Sequence, residues 1–271
     1  DKTVDWSRAK TILIIVFLIL NIFMVFMILS TSSNEPFNND YIRYAKDYLT
    51  SKNIEINADI PRVIRNTGKV LYSTKKYNID ALCRLVFGKE IPLSENGNIV
   101  DIKVGDEKLI ISEDELYIED RITEGDLWFR DLKTFEENIL KYLKDVGFNK
   151  SDLLLDKFSE SDQVKEIVFT LKYNKLHIYD QKITAQLNKE GNLIVWAPTK
   201  ELKNDNGARE VLSVYQILVM GGLPSGVNIE KIDIGYKQIS KGDLYGIPVW
   251  RILPESGESI FYNGFTGERL Y

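Results

Sequence analysis

The sequence predicts an α+β chain: one N-terminal transmembrane helix, then an ectodomain of antiparallel sheets each covered by helices. Three observations carry this. A continuous apolar run opens the chain, strand-like alternation recurs in clusters, and two of those clusters follow a segment with apolar residues at helical spacing.

The opening run extends from Ile12 to Leu29, eighteen residues in which only Asn21 is polar. At ~1.5 Å rise per residue it crosses most of a hydrocarbon core. A helix with no polar face does not lie on a soluble core. The run also exceeds the ~7–15 apolar residues of a secretory signal peptide, so an uncleaved anchor is favoured, although Ser30 to Ser33 keep cleavage possible. Lys2, Arg8 and Lys10 precede the run, whereas Glu35 and Asp40 come before Arg43 after it. The positive-inside bias therefore predicts a cytoplasmic tail (1–11), a transmembrane helix (12–29), a tether (30–37) and an extracytoplasmic remainder. At about 100° per residue, Phe17, Asn21, Met24 and Ile28 share one helix face. An amide at mid-membrane is costly when unpaired and suits a hydrogen bond to a neighbouring helix, at ~0.6–2 kcal/mol. That face is the candidate partner-binding site. The plainer alternative is an anchor that tolerates one Asn.

Composition narrows the function. The chain is 44% hydrophobic, 28% charged and −5 in formal charge. Three of its 35 basic and two of its 40 acidic residues lie in the first eleven positions, leaving 32 against 38, or −6, beyond them. Such a balance argues against an electrostatic nucleic-acid binder and against a polybasic lipid-surface domain. Cys83 is the sole cysteine. It excludes an intrachain disulfide and a cysteine-based zinc site, and its apolar helical setting predicts a buried, inert thiol.

After the tether, Asn39 is a candidate N-cap for a helix with Tyr41, Tyr44, Ala45 and Tyr48 on one face. Ile54 to Ile56 and Val70 to Tyr72 read as strands separated by Pro61 and the Asn66-Thr-Gly68 turn. Asn78 caps a short helix with Ile79, Leu82, Cys83 and Val86 inward, stopped by Gly88. From Ile99 to Phe129, turns at Gly105-Asp-Glu, Ser112-Glu-Asp and Glu124-Gly-Asp divide an antiparallel meander. These elements form a first α+β ectodomain, residues 38–130.

A second region, 131–271, holds two helix-plus-meander units, 131–199 and 206–271. In the first, Asp131 caps a helix with Leu132, Phe135, Ile139, Leu143 and Val146 in a stripe. Then Ile167, Phe169, Leu171 and Tyr173 alternate with Val168, Thr170, Lys172 and Asn174, and Ile183, Ala185 and Leu187 follow suit before Leu193 to Trp196. In the second, Val211, Tyr215 and Leu218 mark a helix closed by Gly221-Gly222. Strands follow at Ile232 to Tyr236, Ile247 to Leu253 and Ser259 to Tyr262. The repeated order suggests duplication.

Catalytic constellations are scarce. His177, the only histidine, reads as a loop imidazole between two strands, with no triad around it. Zincin, nucleophile-elbow, phosphate-loop and EF-hand patterns are missing. Asp114-Glu115 and Glu119-Asp120 are paired acids of the kind a glycosidase needs, but adjacent acids at strand ends read as solvated turns. Tyr236, Trp250, Phe261 and Tyr262 alternate in strands and read as core before ligand groove. The expectation is a non-enzyme without metal or cofactor.

Two stretches resemble a known family. Asp5-Trp-Ser-Arg-Ala-Lys-Thr-Ile-Leu-Ile-Ile-Val-Phe-Leu-Ile-Leu-Asn-Ile-Phe23 is similar to the start of the YycI family, with its Trp before the span and Leu-Asn within it. Tyr215-Gln-Ile-Leu218, Ile234-Gly-Tyr236, Pro248-Val-Trp-Arg251 and Tyr262-Asn-Gly-Phe-Thr-Gly267 resemble that family's closing YycH-like domain. Between Ala58 and Lys165 the match is diffuse. The resemblance implies a single-pass cell-membrane protein that works with a YycH-like partner. Together they regulate the essential cell-wall sensor histidine kinase WalK (YycG) through transmembrane helix contacts. The rival expectation is an extracytoplasmic ligand-binding or peptidase-modulating domain on a passive anchor.

Overall fold

The apolar run forms one helix, α1, Trp6–Ser33, in the computed structural model. The structure describes residues 6–33, 39–61, 67–92, 99–123, 128, 130–204, 207, 209–240, 242–255 and 257–271, excepting the side chains of 6–9, 28–33 and 39. Two compact units emerge, 1–51 and 52–271. The first holds α1 and α2 (Asn39–Ser51). In α2, Tyr41, Tyr44 and Tyr48 make a ladder of rings with centroids 6.3 and 6.5 Å apart, as i, i+3 and i+4 spacing dictates. Whether Asn39 caps α2 with its side chain, and the turns at Asn66 and Glu124, lie outside the described residues.

The second unit is mixed α+β and rich in antiparallel pairs. In order it contains β1 (Glu55–Ile56), β2 (Val70–Thr74), α3 (Ile79–Phe87), β3 (Val100–Val104), β4 (Glu107–Ile111), β5 (Glu115–Arg121) and α4 (Leu132–Val146). There follow β6 (Leu153–Glu160), β7 (Val164–Tyr173), β8 (Leu176–Asn188), β9 (Asn192–Pro198), β10 (Lys200–Asn204) and α5 (Val214–Met220). It closes with β11 (Asn228–Gln238), β12 (Tyr245–Pro254), β13 (Ile260–Asn263) and β14 (Arg269–Leu270). Among the described residues, hydrogen-bonded pairing links fourteen strands, with β10-β2-β12-β11-β8-β9-β5-β4-β3 as the main path and β13 and β14 branching from β12. The sheets expected as separate are thus joined, and two pairs, β1–β11 and β8–β11, are parallel. The expected boundary at 130/131 falls inside this unit, where β5 pairs with β9 from Glu115↔Pro198 to Arg121↔Asn192.

Caps form where the sequence puts them. The Asn78 side chain accepts from Ala81 N at 3.1 Å and Asp131 from Thr134 N at 2.9 Å. Gly147 ends α4 at φ 109°, a conformation that costs a residue with a Cβ. α5 begins later than expected. Ser213 and Gln216 form a reciprocal capping box, leaving Val211 buried ahead of the helix. The helices cover the main core. Leu82, Cys83 and Val86 of α3 and Phe135, Ile139, Leu143 and Val146 of α4 pack with Leu116 and Ile118, Ile167 and Phe169, Ile183 and Ala185, and Val195. Leu132, expected in the same stripe, stays 40% exposed in the first turn.

Strand β8 joins the unit's two halves. On one side it pairs with β7 throughout, but Thr170↔Lys182 is followed by Leu171↔Ile178, so Tyr179, Asp180 and Gln181 bulge out. On the other side, Thr184 to Leu187 pair with β9 while His177 and Ile178 pair with Gly235 and Tyr236 of β11. A bulge of this kind bends the strand and lets it serve two partners. The close approach explains Gly235, where any Cβ would collide with the His177 carbonyl oxygen and the Tyr179 ring. Gly235→Ala should therefore destabilise residues 52–271 by ~1–3 kcal/mol through overpacking. Urea unfolding of the purified chain measures this, with Gly207→Ala, where nothing stands within 4 Å, as the near-neutral comparison.

Candidate functional site

Among the described residues, two of the places where polar groups stand in apolar surroundings are α1 and the bulge of β8. The α1 window Lys10–Met27 has mean hydropathy 2.6 and no residue buried by the protein, so the helix is long and apolar enough to cross a membrane. Phe17 and Met24 are 65% and 57% exposed, and the Ile28 side chain lies outside the described residues. Asn21 does not stand idle between them. Its amide nitrogen donates to the Phe17 carbonyl oxygen at 2.9 Å, one turn back. Phe17, Asn21 and Met24 of the expected face thus lie on one exposed helix, and part of the polarity of Asn21 is spent within it.

The second place is the β8 bulge. Arg251 of β12 is buried and donates through Nε (2.9 Å) and Nη2 (2.7 Å) to the two carboxylate oxygens of Asp233, and through Nη1 (2.5 Å) to Asp156. Tyr179 donates its hydroxyl to Asp233, and its ring faces the guanidinium at 4.6 Å. Lys231 reaches Asp233 at 3.4 Å and Lys182 reaches Asp156 at 4.0 Å from the rim. Burial opposes ionisation of Asp233, but the Arg251 hydrogen bonds and charge outweigh it and hold that carboxyl below the ordinary range. Deeper in the bulge, Asp180 accepts from Tyr72 Oη at 2.9 Å and Gln238 N at 3.4 Å; burial pushes its carboxyl up despite them. Gln181 Oε1 is buried with no hydrogen-bond partner among the described residues.

His177 belongs to this cluster, which corrects its reading as a loop residue. It is the second residue of β8, its Nδ1 2.6 Å from Thr170 Oγ1 and its ring stacked on Tyr179 at 5.7 Å and 8°. Thr170, expected to face outward, is fully buried because β7 lies between two covered faces. Asp120 also departs from expectation. It alternates inward with Leu116 and Ile118, is buried and accepts from Tyr142 Oη at 2.7 Å, so it is no solvated turn. Glu119 accepts from Tyr117 Oη at 2.5 Å. Tyr236, Trp250 and Tyr262 are core residues, with Trp250 Nε1 donating to Leu212 O at 2.8 Å; Phe261 packs on Tyr179 at 5.1 Å. Among the described residues, no three His, Cys, Asp or Glu side chains converge as a metal site.

Sequence reasoning missed Asp156, Tyr179, Asp233 and Arg251 as a group. One signal was visible: Arg251 interrupts the apolar strand Ile247 to Leu253, a setting that obliges a buried charge to find carboxylates.

Comparison with known proteins assigns this chain to no family. No family model matches the chain, and no curated protein does. An uncharacterized protein from Eubacterium rectale ATCC 33656 is 12% identical, with 81% of this chain and 91% of that one covered at a TM-score of 0.47. The Bacillus megaterium YpeB C-terminal domain is 15% identical, with 73% and 97% covered at 0.41.

Two outcomes are expected of the buried cluster. Arg251→Met strands two carboxylates and should cost ~3–5 kcal/mol in urea unfolding. Burial, aided by Arg251 and Lys231 and opposed by Asp233 and Asp156, lowers the His177 pKa. The unfolded chain then binds that proton more readily, so stability is full above about pH 6.5 and falls as pH drops through the folded pKa. Chemical unfolding of His177→Asn across pH 7.5 to 5 should show a shallower decline than the parent chain.

Proposed function

We propose that this chain is a single-pass, membrane-anchored regulator without enzymatic activity, oriented with its N-terminus in the cytoplasm and residues 52–271 outside. It acts on an essential cell-wall sensor histidine kinase of the WalK (YycG) kind, together with a YycH-like protein, through contacts between transmembrane helices. The observation that carries the reading is α1, an apolar helix whose single mid-span polar side chain is Asn21. The residues that resemble YycI at both ends of the chain support the choice of partner. Basic residues before the span support the orientation.

The proposed physics is a bias on packing. A partner helix that docks on Phe17, Asn21, Met24 and Ile28 in one kinase state shifts the equilibrium only by its differential affinity for the two states.

Asn21→Leu keeps hydrophobicity while removing the amide. Loss of ~0.6–2 kcal/mol, about three- to thirtyfold in the packing equilibrium, should change kinase output at unchanged protein level. A kinase-dependent transcriptional reporter reads the effect, with Ile19→Leu as the silent control. If neither Asn21→Leu nor an unrelated apolar span of equal length changes output, α1 is a tether and the ectodomain carries the function. Orientation is tested separately. A fusion partner active only outside the cytoplasm should work after Tyr271, and one active only inside should not.

A further inference from the structure

A cavity of about 430 Å³ opens in the 52–271 unit, at the end of β7 that pairs with the start of β8, and no residue of α1 lines it. Its walls come from five places: Lys75 and Lys76 after β2, Gly147 and Phe148 after α4, Asp152 before β6, Leu171 to Tyr173 at the end of β7, and Lys200 to Leu202 in β10. Its size is that of a small-molecule site. Its chemistry is unlike the rest of this acidic chain, for it gathers Lys75, Lys76, Lys172 and Lys200 against only Asp152 and Glu201.

The lysines have different duties. Lys75 is built in. Its Nζ donates to the Gly147 carbonyl oxygen at 2.7 Å, at the partly negative C-terminal end of α4, and sits 3.4 Å above the Phe148 ring and 5.1 Å from that of Tyr77. Burial lowers its pKa to about 8 even though Glu201 and Asp152 act to raise it. Lys76 and Lys172 have no carboxylate within ion-pair distance among the described residues, and Lys200 reaches only Asp114, at 3.7 Å. The two acids of the cavity are turned to other partners. Glu201 accepts from Ser73 Oγ at 3.2 Å and lies 3.9 Å from Lys203, while Asp152 accepts from Asn149 and Ser151. Positive charge therefore converges on a concave space whose remaining walls, Phe148, Leu171, Tyr173 and Leu202, are apolar or aromatic.

We infer that this cavity binds a small organic anion, a carboxylate or phosphate monoester on an aromatic or short aliphatic body. The acid group lies among Lys76, Lys172 and Lys200, and the body rests against Phe148, Leu171 and Tyr173 beside the Lys75 stem. An ordinary solvated lysine cluster would take up any anion weakly and without regard to the body attached; a walled cavity discriminates.

The test uses the full chain in nanodiscs of uncharged lipid, with ligand-observed fluorine NMR. The probes are 4-fluorophenyl phosphate, 4-fluorobenzoate and the neutral 4-fluorobenzyl alcohol. At least one anionic probe should bind saturably, and the alcohol should not. Lys172→Gln with Lys200→Gln should weaken binding at least tenfold, whereas Lys141→Gln with Lys144→Gln on α4 should not. Pulsed acetylation read by mass spectrometry provides a second readout on the unaltered chain, where saturating probe should slow modification of Lys75 at least threefold. Equal binding of the alcohol, equal loss in both lysine pairs, or unchanged Lys75 acetylation under saturating probe would overturn the assignment. None of these outcomes bears on the role proposed for α1.

Discussion

Residues 52–271 depend on one constraint: a thirteen-residue strand must serve two ladders at once. β8 keeps β7 on one side along its length, but on the other side it changes partner from β11 to β9. The change is made by looping out Tyr179, Asp180 and Gln181, which carries their polar side chains into the interior. Buried polar side chains need partners. Asp233 and Arg251 answer Tyr179, while Tyr72 and the Gln238 amide answer Asp180. The bend and the charge cluster are therefore one feature seen from two sides. Gly235 belongs to it too, since only a residue without a side chain lets β11 approach the bend.

Much of this was legible in the sequence, and the limit has a physical origin. Periodicity reports which side of an element is apolar. The stripes of α3 and α4, their Asn78 and Asp131 caps and the alternation of β8 beyond Ile183 were accordingly readable. Periodicity is silent about partners. Nothing local in Ile234-Gly-Tyr236 says that it pairs in parallel with His177 and Ile178, some sixty positions earlier. For the same reason the strands looked like separate meanders. Two polar residues were misread, Asp120 and Thr170. Asp120 was judged by chemistry where the alternation of its own strand was the better guide, whereas Thr170 stands on the face opposite Ile167, Phe169 and Leu171 in a stretch buried on both faces, where alternation has nothing to report. The Asn21 face was legible as a face, but the bond from its amide to the Phe17 carbonyl was not.

The motifs that resemble YycI near the C-terminus acquire structural reasons. Within Pro248-Val-Trp-Arg251, Trp250 ties β12 to the segment before α5 through the Leu212 carbonyl, and Arg251 neutralises the bulge. Asn263 accepts from Phe265 N at 2.9 Å and Thr266 N at 3.3 Å, turning the chain from β13 into β14. Residues of this sort are needed by the fold itself.

The back-bond of Asn21 bears on how the helix behaves when alone. An amide stranded in hydrocarbon would drive any available association, because almost any partner improves on none. Here part of the demand is met one turn away by Phe17. If α1 docks as proposed, a contact that recruits this N–H exchanges one hydrogen bond for another, with a correspondingly small net gain, and only the second N–H and Oδ1 add bonds outright. In the role proposed for α1, such a helix would tolerate the bilayer without a partner, and its modest gain on docking would suit a graded dial, whose setting follows the abundance of its partners, and not a permanent clasp.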